Sequence, residues 1–252
     1  MVQRDQIIQW IDEYLDVKTF DDHCPNGLQV EGVAEIRAIV VGVSASQALF
    51  EASQEKGAQM VIAHHGLIWK GLPWVIKGIF RGRLEFLLKN GINLLGYHLP
   101  LDAHPEIGNN ALLATKLDIE NLKPFGHHGG KPIGCYGDLA KEVSRPAILK
   151  RIEKALRGKV LHFDAGKQRV RRVGVISGGA ASDVHEAIEL GLDLFLTGEA
   201  QEPTYEICKE AGINFVAGGH YLTERPGIEA LGEKVQTEFD LPVTFFETYN
   251  PV

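Results

Sequence analysis

The chain carries one architectural plan twice, and any fold it adopts must house both copies. The segment AIVVGVSASQALFEASQEKGAQMVIAHHG, from Ala38 to Gly66, is answered by RVGVISGGAASDVHEAIELGLDLFLTGEA, from Arg172 to Ala200. Each reads as a β-branched strand, an amphipathic helix, a glycine stop and a second apolar strand. Ser44 with Gln47 has the pattern of a capping box, Ser182 stands as an N-cap, and Gly57 and Gly191 sit where a helix ends. The copies continue through GINLLGYHLPLD, Gly91 to Asp102, and GINFVAGGHYLTE, Gly212 to Glu224. In both, a Gly-Ile-Asn start leads through an apolar strand to a histidine, and a carboxylate follows four positions later: His98 with Asp102, His220 with Glu224.

Apolar strands alternating with helices predict buried parallel strands joined by right-handed crossovers. The expected fold is therefore α/β, two related halves (an internal duplication) facing each other across a cleft, with a small α+β connecting insert. Residues 1–117 form the first half, 118–170 the insert and 171–252 the second half, with the halves packed as one lobed domain. The insert holds short strands (PIGCYGDL, KVLHFDA) and the helix RPAILKRIEKALRG. The N-terminal run to Val17 is read as an amphipathic helix on Ile7, Ile8, Ile11, Tyr14 and Leu15, not as a signal peptide. A helix from Thr223 to Phe239 and a last strand in LPVTFFE complete the expectation.

With 252 residues, 44% hydrophobic and 23% charged, the composition is that of a water-soluble globular chain. No apolar run approaches the ~20 residues of a membrane span. Three scattered cysteines without a CxxC pair argue against a disulfide framework and place the chain in a reducing cytoplasm. The formal charge of −7 weighs against a general nucleic-acid surface, which needs a cation for each phosphate it neutralises. The basic cluster KQRVRR, Lys167 to Arg172, is read as a solvated turn.

In open parallel sheets ligands bind beyond the carboxyl ends of the strands. His64 and His65, Asp102, and His220 with Glu224 all follow apolar strands, so they converge on that edge. Three imidazoles and two carboxylates in one crevice suit Zn, Mn, Fe or similar divalent ions. Successive side chains of a strand face opposite ways, so either the strand has ended by the histidine pair or each ring serves its own ion. Five protein ligands for two ions leave room for water and substrate, as a catalytic site requires. His98 matches His220 by repeat and is read as a supporting residue behind the ligands. Glu199 stands as far from Gly191 as His65 does from Gly57; it reads as a general base or as a cap on the next helix. His104, His162 and His185 are read as surface or hydrogen-bonded residues, and the pair His127 and His128 in GHHGG as a loop.

PNGLQVEG (Pro25 to Gly32), HHG, GYHLPLDAHPEIGNN (Gly96 to Asn110), LTGE and AGGHYLTERPGIEAL (Ala217 to Leu231) together resemble the GTP cyclohydrolase 1 type 2 family, also called Nif-three-like proteins. The resemblance spans nearly the whole chain, is weakest over 118–170 and is nearest to the short bacterial members. It implies a two-lobed α/β fold, a dinuclear metal centre on His64, His65, Asp102, His220 and Glu224, and a homohexamer of stacked trimers. It also implies hydrolysis of a nucleotide ring or a related small anionic substrate, with a metal-activated hydroxide attacking the imidazole ring of GTP. Two other functions fit the same residues: a metal-holding ring or scaffold that grips DNA, and a two-metal phosphoesterase.

Overall fold

The computed structural model describes residues 1–72 and 74–252. It divides into two compact units, Met1–Leu101 with Gly227–Tyr249, and Asp102–Pro226 with Asn250–Val252.

The first unit opens with β1 (Val2–Gln3) and α1 (Arg4–Tyr14), followed by β2 (Gly27–Val30) and β3 (Glu35–Ile36). The chain then alternates: β4 (Ile39–Ser44), α2 (Gln47–Glu55), β5 (Met60–His65), α3 (Gly78–Asn90), β6 (Asn93–Gly96) and α4 (Leu99–Asp102). Among the described residues its main sheet has the order β13-β4-β5-β6-β2, where β13 is Val243–Phe245. Neighbours from β13 to β6 run parallel and β2 closes the edge antiparallel. Val40, Val61 and Leu94 pack with Leu49 and Phe50 of α2, all at 1% exposure or less. Gly42 lets α2 approach: a Cβ there would stand 3.0 Å from Leu49 Cδ1. On α1, Ile7 and Ile11 are buried, as its periodicity predicts.

The second unit contains α5 (Asn109–Lys116), β7 (Ile119–His128), β8 (Lys131–Ser144), α6 (Arg145–Leu156) and β9 (Leu161–Phe163). Alternation resumes with β10 (Arg169–Val175), α7 (Val184–Glu189), β11 (Leu194–Thr197), α8 (Thr204–Ala211) and β12 (Asn214–Ala217). From there α9 (His220–Phe239) leads back to the first unit's segment. The sheet order among the described residues is β7-β8-β10-β11-β12-β9, with β10, β11 and β12 parallel. Thus both units carry the same parallel β-α-β-α-β run. Strands β5, β6, β11 and β12 are buried on both faces apart from the partly exposed His65, which explains their unbroken apolar runs.

The segment 118–170 lies within the second unit. Its β8 pairs with β10 and its β9 with β12, while Ile148, Ile152 and Leu156 of α6 join the core of Val173, Val175, Leu194 and Val216. The run KQRVRR is not a turn beyond its first residues: β10 begins at Arg169, because Glu142 and Asp138 on β8 offer carboxylates to Arg169 and Arg172 at 3.1 and 3.0 Å. Nor do His127 and His128 lie in a loop; they end β7, and Gly129 and Gly130, both at positive φ, make the hairpin turn. Two caps also shift. Strand β4 runs through Ser44, so Ser46 caps α2 by accepting from the Leu49 amide at 3.2 Å. Ser182 falls in a 3-10 turn, Ala181–Asp183, ahead of α7. Gly57 and Gly191 take left-handed φ at the ends of their helices, as expected.

The repeated Gly-Ile-Asn has a structural reason. Asn93 is fully buried; its Oδ1 accepts from the Gly32 amide at 2.8 Å, and its Nδ2 donates to the carbonyls of Val33 and Gln59 at 2.8 and 3.0 Å. Asn214 repeats the arrangement: its Oδ1 accepts from the Gly166 amide at 3.1 Å, and its Nδ2 donates to Lys167 and Asp193 at 3.0 and 2.9 Å. Each side chain thereby ties the start of its strand to the residue preceding the neighbouring strand. Replacing Asn93 or Asn214 by leucine strips partners from buried backbone groups, and urea denaturation should show a loss of about 3 kcal/mol for each.

Candidate metal centre

In the first unit, β5 ends on the histidine pair. His64 is fully buried and His65 partly exposed. Their ring centroids are 4.6 Å apart although they are consecutive, because His65 is the last residue of the strand and alternation lapses there. His98, just beyond β6, brings its ring to 5.2 Å from His64 and 5.6 Å from His65. Each of the three offers a ring nitrogen, and these nitrogens lie within 4.8 Å of one another. So His98 stands in the histidine cluster itself.

The rings are held from behind by one nitrogen each. His64 Nδ1 lies 2.9 Å from the Tyr97 carbonyl, which only accepts, so that nitrogen carries the proton and Nε2 the lone pair. His98 Nδ1 is 2.9 Å from Asp22 Oδ1, and His65 Nδ1 is 3.5 Å from Ser44 Oγ. Asp22 also takes hydrogen bonds from Asn26 Nδ2 and from the Cys24 and Leu99 amides. Burial alone would raise its pKa, but His98 and these donors outweigh that and hold the carboxyl well below the usual range.

In the second unit the same strand ends carry Ser177 and Gly178 after β10, Glu199 after β11 and His220 after β12. His220 opens α9, and Glu224 follows one turn later on the same face, with His220 Nε2 at 3.0 Å from Glu224 Oε1. His220 Nδ1 meets Glu199 Oε1 at 2.5 Å, so Glu199 orients the ring. Burial disfavours the imidazolium, yet hydrogen bonds and charge from Glu224 and Glu199 prevail and raise the His220 pKa to about 9. Asp102 is buried and accepts from Asn109 Nδ2 at 2.8 Å and Ser177 Oγ at 2.9 Å. Carboxylate oxygens of Asp102 and Glu224 lie within 4.8 Å of each other, both residues at 3% exposure. Glu224 has His220 as an ionic partner, and two carboxylates this close together are a donor pair that suits a divalent cation.

Gly178 shapes this corner. At φ +69°, it places its α-carbon so that a Cβ would strike Glu224 Oε1 and stand 3.2 Å from His220 Nε2. Its amide donates to Thr223 Oγ1 at 3.0 Å. The donors therefore fit divalent metal: imidazoles held through Nδ1, buried carboxylates, and a glycine where any side chain would intrude.

The remaining histidines sit elsewhere. His104 Nδ1 accepts from the Glu106 and Ile107 amides, His162 pairs with Asp164 at 2.9 Å, and His185 is exposed. Sequence reasoning missed Asp22, Ser177 and Asn109. Asn109 lay inside a quoted motif, and Ser177 matches Ser44 at the ends of equivalent strands, which was the available signal.

Fold and donors define an α/β protein with His, Asp and Glu groups suited to metal. The chain belongs to the Duf34/NIF3 (NGG1p interacting factor 3) family, whose model matches residues 2–251. Two proteins named GTP cyclohydrolase 1 type 2 homolog are similar over nearly their whole length. One, from Yersinia pestis, is 44% identical over 242 residues, covering 96% of each chain. The other, from Escherichia coli strain K12, is 44% identical over 247 residues and 98% of each. Among solved structures, the protein ybgI, titled as of unknown function, aligns over 100% of both chains with a TM-score of 0.93 and 43% identity. A protein from Thermus thermophilus aligns over 100% of both at a TM-score of 0.89 and 33% identity. Among the described residues, no helix is long and apolar enough to cross a membrane.

His128, outside the candidate ligands but within the field of Asp102, supplies a pH test. Its Nε2 is 3.1 Å from Asp183 Oδ1, and that hydrogen bond, opposed by partial burial, raises its pKa above 6.5. A histidine raised on folding stabilises the fold below its unfolded pKa, and the contribution is lost as pH rises through the folded value. NMR titration should place the His128 midpoint above 6.5, and Asp183→Asn should bring it down; an unchanged midpoint would refute the pairing.

Proposed function

We propose that this protein is a dinuclear metal-dependent hydrolase of the cyclohydrolase type, with His64, His65, Asp102, His220 and Glu224 as the ligands of two divalent ions. The observation that carries this reading is the gathering of donors at strand ends: ring nitrogens of His64, His65 and His98 lie within 4.8 Å of one another, and His64, His65 and His220 each turn Nδ1 to an oxygen. Such ions supply, when bound, Lewis-acid charge and water acidified toward neutral pH. The chain's own residues do the rest. Glu199 holds the Nδ1 proton of His220 and so sets the direction of Nε2, which makes it a positioning residue. Asp22 does the same for His98, and Ser177 and Asn109 hold Asp102. Beside Glu199 a pocket of about 350 Å³ is lined by Lys159, Leu161, Leu222 and the backbone of Gly218 and Gly219. Its glycine backbone and apolar side chains suit a planar ring, and Lys159, 3.2 Å from Glu153, is its cationic group. The names of the relatives support a purine nucleotide such as GTP as the substrate class. The family resemblance likewise supports assembly into a hexameric ring of stacked trimers.

Metal analysis of purified protein should give two ions per chain. Metal-loaded protein given GTP should release formate, and His65→Ala should abolish release while circular dichroism stays unchanged. Release of phosphate in place of formate would make the protein a phosphoesterase; equal activity in the variant would remove the ligand assignment. Gly178→Ala should fold, yet bind metal about tenfold or more weakly, because its methyl displaces Glu224.

A further inference from the structure

Two features of the first unit have no role in the site. One is the segment Trp74–Arg83, which leads into and opens α3. Trp74, Val75, Ile76 and Ile79 are 102, 65, 53 and 76% exposed, in a stretch that also carries Lys77, Arg81 and Arg83 and no acid. Apolar side chains exposed side by side, with a tryptophan among them, mark an interaction surface. The other feature is a groove of about 690 Å³ along α1. Its apolar floor is Ile8 and Leu28, and its walls carry Asp5, Asp12, Glu13 and Asp16 against one lysine, Lys18.

We propose that the segment Trp74–Arg83 of one copy docks in the α1 groove of a second copy of this chain. The contact deepens the self-association reading above and rests on it. Charge complementarity selects the occupant: the exposed cations Lys77 and Arg81, the latter 3.5 Å from Glu85, flank the apolar residues of the segment, and Asp12, Glu13, Asp16 and the Arg4-paired Asp5 surround the apolar floor of the groove. Because segment and groove are different surfaces, the contact is heterologous, and repetition from copy to copy closes a ring when the rotation permits. Added salt weakens it by screening.

The test uses charge reversal at exposed positions. Light scattering should show the parent chain as an oligomer. Lys77→Glu with Arg81→Glu should weaken association about tenfold or more, and so should Asp5→Lys with Glu13→Lys. A single chain carrying all four reversals should recover the parent mass, since each reversed segment then meets a reversed groove. A monomeric parent would overturn both self-association and this contact. An oligomeric parent whose double variants assemble unchanged, or whose fourfold variant stays dissociated, would overturn the contact and leave self-association standing. Binding of anionic vesicles that depends on Trp74, with no change of mass in either variant, would also overturn it.

Discussion

The buried amides of Asn93 and Asn214 set the frame on which the rest of the molecule depends. Each asparagine ties the start of its strand to the residue just before the neighbouring parallel strand, so the strands begin in register. Strands that begin together end together, and the short β5, β6, β11 and β12 finish on one edge of their sheet. The residues at and just beyond the strand ends are therefore delivered to that edge: His64, His65 and His98 in one unit, Glu199 and His220 in the other. Backbone geometry thus does the first part of site assembly, and side-chain hydrogen bonds complete it.

The second part is the disposal of imidazole protons. A histidine with one nitrogen committed to an oxygen behind it has its ring plane, and so the direction of its other nitrogen, fixed. The structure uses a different oxygen each time: the backbone of Tyr97, the hydroxyl of Ser44, and the carboxylates of Asp22 and Glu199. The repeat is kept at the level of geometry while its chemistry varies, which is how one duplicated scaffold yields an uneven set of donors.

Much of this was legible in the sequence because duplication and hydrophobic period are local signals. The two β-α-β-α-β runs, the glycine helix stops and the strand-end histidines all follow from them. The oxygen partners were not legible, since His64 and Tyr97 are 33 residues apart and Asp22 and His98 are 76 apart. Adjacency in sequence says nothing of such pairings. Antiparallel edges were hard for a related reason: β7, β8 and β9 attach to the second sheet through long-range ladders that leave no periodic mark. The basic start of β10 looked like a turn until Asp138 and Glu142 supplied its cross-strand partners.

Anomalous diffraction from crystals grown with manganese or zinc measures the ligand assignment most directly. Two peaks per chain, with Nε2 of His64, His65 and His220 and the carboxylates of Asp102 and Glu224 as donors, are the predicted result. Ions coordinated through Nδ1, or no peak at these five residues in metal-saturated crystals, would contradict it.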